Sequence, residues 1–135
     1  MRIESTHTRI DQPASRIYNY LRDLNNLIHL LPQDRITNWE STEDSCSFKI
    51  QNAATIDLRR NGGTEPELIE MKNGMKSPFP FELFVHIKVI DENTCEGHLL
   101  FDGKVNPFLK MMVEKPLVNL FEYMSSQLKE VSKTM

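Results

Sequence analysis

The side chains able to do acid–base or metal chemistry are scattered along this sequence. Its four histidines, His7, His29, His86 and His98, include no pair at the i, i+4 spacing that sets two imidazoles on one helix face. No HExxH, GxSxG, P-loop, GxGxxG or paired CxxC stretch is present. No catalytic residue, metal site or cofactor is therefore expected. His7 is the one imidazole whose direction stays open. Alternation along Ile3, Ser5 and His7 points it inward, whereas an inner face of Glu4, Thr6, Thr8 and Ile10 points it out. Asp57 and Arg59 alternate with Ile56 and Leu58 and are read as solvated; the opposite register would make them buried polar anchors. Cys46 and Cys95 lack CxxC spacing and read as reduced, buried thiols.

A chain of 135 residues with 39% hydrophobic and 26% charged side chains fits a single domain, residues 1–135, with a core of its own. Lys plus Arg number 16 against 19 Asp plus Glu, and the formal net charge of -3 argues against a nucleic-acid partner. No run nears the roughly 18 apolar residues of a membrane span, and the first residues lack a signal-peptide core. The expectation is a soluble, cytoplasmic protein with no integral membrane segment.

The positioning elements follow from periodicity. Arg2 to Ile10 alternates as one strand, and Asp11 and Pro13 supply a cap and first-turn proline for a helix carrying Ile17, Leu21 and Leu24. A second short helix starts at Asn25-Asn26, buries Leu27, Leu30 and Leu31, and stops at Pro32. From Arg35 the period becomes two. Strands are expected at Arg35–Glu40, Cys46–Gln51, Ala54–Arg60, Glu67–Lys72, Phe79–Ile90 and Cys95–Val105, with Asn61-Gly62-Gly63 among the turns between them. Asn106-Pro107 opens a long amphipathic helix reaching about Lys133, with Pro116 inside it. Sequential strands with helices kept to the two ends make this an α+β chain built on an antiparallel meander.

Five strings mark the element boundaries: Ile10-Asp11-Gln12-Pro13, Tyr20-Leu21-Arg22-Asp23, Leu30-Leu31-Pro32, Asn106-Pro107-Phe108 and Lys115-Pro116-Leu117. Their order and spacing, with the order of elements across the whole chain, resemble the helix-grip fold of the SRPBCC superfamily. That superfamily includes START lipid-transfer domains, the birch-pollen-allergen family and polyketide cyclases. The resemblance implies a sheet of about seven strands curled round the long C-terminal helix, with two short helices after the first strand. It further implies an apolar cavity between sheet and helix, which in this superfamily serves transport, sensing, chaperoning or catalysis.

In that frame the strands offer Phe48, Met71, Phe81, Leu83, Val85, Leu99 and Phe101 as cavity lining, and the long helix offers Leu109, Met112, Pro116, Leu120 and Met124. Met75, Phe79 and Phe108 are the candidates for an entrance. Seven methionines suit a lining that adapts to different apolar shapes, or equally the filling of gaps in a dry core. A three-residue loop at Glu92–Thr94 would pair Val89, Ile87 and Val85 with Gly97, Leu99 and Phe101 and leave His86 and His98 outside on neighbouring strands. Three functions stay open. The first is a non-catalytic carrier or sensor of a small hydrophobic or amphipathic molecule. The second is a cyclase-like enzyme, which needs His7, Tyr123 or an inward carboxylate at the cavity. The third is a partner or chaperone-accessory module with Phe84, Ile90 and Leu100 exposed; a homodimer remains open in each case.

Overall fold

A computed structural model describes all residues, 1–135. Its strands are β1 (Arg2–Glu4), β2 (Thr8–Ile10), β3 (Ile36–Ser41), β4 (Ser45–Ile50), β5 (Thr55–Thr64), β6 (Leu68–Asn73), β7 (Phe81–Asp91) and β8 (Thr94–Gly103). They form one antiparallel sheet in the order β1-β8-β7-β6-β5-β4-β3, with β2 also paired to β8. Helix α1 (Ala14–Leu21) and a 3-10 segment (Leu24–Leu30) follow β2, and α2 (Pro107–Ser132) closes the chain. Inward residues of the sheet, one face of α2 and the two short helices merge into a single core of 31 buried residues. This is the expected α+β helix grip. No helix is long and apolar enough to cross a membrane.

Helix α2 starts where the sequence places it. The Asn106 side chain accepts the Leu109 N–H at 2.9 Å, and Pro107 occupies the first turn, where its missing N–H costs nothing. Pro116 sits inside the helix and leaves the Met112 carbonyl without its usual partner. The two early caps differ from expectation. Pro13 itself takes the cap position of α1 with no side-chain bond, and Asp23, not Asn25-Asn26, caps the 3-10 segment by accepting the Asn25 N–H at 3.0 Å.

Three stretches of sheet also depart from the sequence reading. The first strand is broken at Ser5–His7, where the Ser5 hydroxyl accepts the Leu99 N–H at 2.8 Å in place of a backbone carbonyl. Gly62 and Gly63 lie within β5 and not in a turn, at a bulge opposite Met71 and Ile69, and the chain reverses after Thr64. Gly63 has φ of 140°, and a Cβ there would overlap the Leu68 carbonyl, so only glycine fits. On the last hairpin Ile87 pairs with Gly97, Val85 with Leu99 and Leu83 with Phe101, two residues off the expected register. A shift of two keeps every side chain on its face, so His86 and His98 stay on the outside as expected, and the observed register sets them directly opposite each other.

Asp57 points outward as its alternation requires, yet it is buried. The segment 74–77 folds over the outer face at that point, and the Asp57 carboxylate accepts the Lys76 N–H at 3.1 Å while its own N–H donates to Ser77 Oγ at 2.8 Å. Arg59, beyond this cover, is exposed as expected.

Candidate functional site

The grip is filled unevenly along α2. Near its first half, Phe79, Phe81, Phe101 and Phe121 pack as one aromatic cluster, with centroids 5.9 Å apart for Phe79–Phe81, 5.1 Å for Phe81–Phe101 and 5.3 Å for Phe101–Phe121. Phe79 is thus a core residue, not an entrance residue, because the Pro78-Phe79-Pro80 segment turns its ring inward. In the middle of the grip the enclosed space is only about 20 Å3. That is room for about one water molecule. Met71, Leu83, Val85, Leu99 and Met124 line it, as do Leu21, Leu27, Leu30 and Leu128, which the sequence reading had assigned only to packing. Gly97 lies directly under the helix here, where an added Cβ would meet Ile10 and Leu128 at 3.4 Å.

A more open space adjoins the grip at the β3–β4 end. A cleft of about 210 Å3 opens between α2, the end of the 3-10 segment and the start of β3. Ile36, Ile50, Leu120, Pro32 and Pro116 give it an apolar floor and walls, and Arg35, Gln51 and Asn119 are its polar side chains. Arg35 is the only ionisable group among these lining residues, and it makes no ion pair. Its backbone is held, its N–H donating to the Pro32 carbonyl at 3.0 Å and its carbonyl accepting the Gln51 N–H at 2.8 Å. The sequence signal for this cleft is the Pro32 stop with Arg35 three residues on, a basic residue where helix gives way to strand.

The other expected site residues fall elsewhere. Phe48 is buried and stacks on Trp39 with centroids 6.1 Å apart. Leu109 is half-buried, and Met112 is 47% exposed, because the first turns of α2 extend past the sheet. Met75 and Phe108 are 93% and 71% exposed and border neither the void nor the cleft. Tyr123 and His7 are exposed, and no carboxylate lines either space. Phe84 and Leu100 are half-buried, leaving Ile90 and Val89 as exposed apolar groups at the tip of the last hairpin.

The fold has counterparts among solved structures. A START superfamily protein from Mycobacterium smegmatis superposes with a TM-score of 0.69 at 10% identity, over 98% of this chain and 97% of that one. Norcoclaurine synthase from Thalictrum flavum, solved with dopamine and hydroxybenzaldehyde, gives 0.68 at 11% identity over 99% and 87%. The di-domain ARO/CYC BexL gives 0.69 at 12% identity over 96% of this chain and 45% of that one. The fold is an SRPBCC-type helix grip. No protein-family model and no curated protein sequence matches the chain, and at these identities the likeness is one of fold.

On the outer face of the helix grip, strand pairing assembles side chains that the sequence keeps far apart. His7 Nε2 lies 2.9 Å from Glu4 Oε2 and His7 Nδ1 2.9 Å from Glu96 Oε1. Its ring stacks on His98 at 3.8 Å, and His98 stacks on His86 at 4.9 Å. Hydrogen bonds donated to Glu4 and then Glu96 raise the His7 pKa above the ordinary imidazole value, while burial, followed by the neighbouring imidazoles, lowers that of His98. Inside the grip, burial and then the Asp57 charge push the Cys46 thiol up to about 12, and burial pushes Cys95 to about 11.

Proposed function

We propose that this protein is a non-catalytic carrier or sensor that takes one end of a small amphipathic molecule into the cleft beside Pro116. The observation that carries the reading is the make-up of that cleft: apolar Ile36, Ile50 and Leu120 beneath a single unpaired cation, Arg35. Such a site favours an apolar group attached to a carboxylate or another anionic head, since the guanidinium offers a fork of donors to planar oxyanions. A volume of about 210 Å3 suits a short chain or single ring. Pockets for whole drug-sized ligands run to roughly 300–1,000 Å3.

The path inward supports the same reading. Leu120 on the cleft and Met124 on the central void are one turn apart on α2, and Met71 faces Met124 across the void. Thioether side chains repack at low cost, so an apolar tail entering past Leu120 could displace them. A lining without a carboxylate, in which Arg35 is the one ionisable group of the cleft and His98 the one of the void, supports carriage over a cyclase-like reaction, even though one similar structure is described as an ARO/CYC protein.

Native mass spectrometry with decanoate and decanol provides the test. Decanoate is expected to be retained in a one-to-one complex more strongly than decanol, with Arg35→Gln removing the difference and Leu120→Trp weakening both by roughly tenfold or more. Retention of neither molecule, or retention that Leu120→Trp leaves unchanged, would overturn the reading.

A further inference from the structure

We propose that Glu4, His7 and His98 form a binding site for a divalent ion of the zinc class on the outer face of the sheet, with Glu96 holding the other ring nitrogen of His7. The site is independent of the cleft. One candidate ligand atom from each of Glu4, His7 and His98 already lies within 4.8 Å of the others. Zinc held at about 2.0–2.2 Å by nitrogen and carboxylate oxygen sets its ligands roughly 3.3 Å apart, so no pair of the three atoms has to close by more than about 1.5 Å. Glu4 and His7 are exposed and His98 is half-buried, and the two stacked rings must turn out of parallel, by rotation about their own torsions, to aim both nitrogens at one ion.

The backbone that presents them is fixed. Glu4 ends β1 and pairs with Leu100, Thr8 opens β2 and pairs with Gly97, and His7 is held in the interruption between the two strands. The Ser5 bonds to Leu99 anchor that interruption on β8, one residue from His98. His98 has no hydrogen-bond partner for its ring, only the stacked rings of His7 and His86 on either side, so its lone pair is free to coordinate. An ion on the Nε2 side of His7 takes the place of its bond to Glu4, and Glu96 on Nδ1 then fixes the ring from behind.

Two imidazoles with one carboxylate select a borderline ion. Zinc, copper and nickel suit imidazole, whereas magnesium and calcium prefer all-oxygen sites. A bound ion would join β1, the start of β2 and β8, tying the amino-terminal strand to the hairpin that lies over α2.

Zinc affinity is measurable on the tag-free full chain by competition with a chromogenic chelator, alongside nuclear magnetic resonance of the imidazole signals. One zinc per chain is expected, uncompeted by about a hundredfold excess of magnesium or calcium. His7→Gln and His98→Gln should each weaken it by roughly tenfold or more, and His29→Gln, remote from the cluster, should leave it unchanged. Zinc should move the His7 and His98 ring signals while the amide spectrum of the core stays in place. Absence of saturable binding below about millimolar zinc, or binding that survives either His7→Gln or His98→Gln, overturns the proposal.

Discussion

Asp57 places a carboxylate where water is nearly excluded, and its partner is a backbone N–H and not a cation. The Lys76 N–H, together with the Gly74 N–H donated to the Asp57 carbonyl at 2.8 Å, ties segment 74–77 to β5. Gly74 packs against the carboxylate so closely that an added Cβ would overlap it. Asp57→Ala strands that N–H, a loss of about 1–3 kcal/mol, and Asp57→Asn, which keeps an acceptor, should cost less. Urea midpoints with unchanged slope would show both effects. The thiols give a second residue-level expectation. With Cys46 held at about 12 and Cys95 at about 11, against 9.0 for the free group, neither thiol forms appreciable thiolate at pH 8 in the folded protein. A thiol reagent at that pH should label neither until denaturant is added. Because both folded values are raised, the associated stability is fully present below pH 9 and is lost as pH climbs toward 11–12.

At the scale of elements, Pro116 is the point where local preference and architecture disagree. Restoring the missing N–H with Pro116→Ala should stabilise α2 by about 1–3 kcal/mol and raise the melting temperature, while removing a wall from the cleft and weakening decanoate retention. A higher melting temperature with unchanged retention would separate the proline from the site. Which elements were legible in the sequence follows similar logic. Period-two runs and the long 3.6-residue stripe on α2 are written in the positions of Ile, Leu, Val and Phe, so the order of elements and the buried faces could be read directly. The break at Ser5–His7 could not, because residues 4–9 are all polar; Ile3 and Ile10 fall on opposite parities across them, and only pairing with β8 shows where the parity changes. Gly62-Gly63 carries turn composition but performs a bulge, a distinction set by the partner strand β6. The burial of Asp57 is hidden from its own strand for the same kind of reason, since the covering segment lies 17–20 positions away in sequence.

For the whole molecule the governing quantity is how much of the grip is hollow, and that is a sum over side-chain volumes that no alternation pattern encodes. Nine apolar side chains converge on about 20 Å3, and the four-phenylalanine cluster closes the neighbouring stretch. A grip this full holds a ligand only where a side chain can yield, and Met124 is the flexible side chain that α2 contributes to the void. Met124→Ala should therefore cost about 2–5 kcal/mol and enlarge the space in its place, since a packed interior relaxes only partly. An enlarged apolar void stays dry and admits small apolar guests, so the variant should be stabilised by benzene in a thermal melt while the parent chain is not. Equal benzene stabilisation of both chains would mean that the parent grip already opens at equilibrium. Stabilisation of neither would mean that α2 settles onto the sheet and closes the gap, and the structure of the variant would then show the Leu120 and Leu128 turns drawn toward β8.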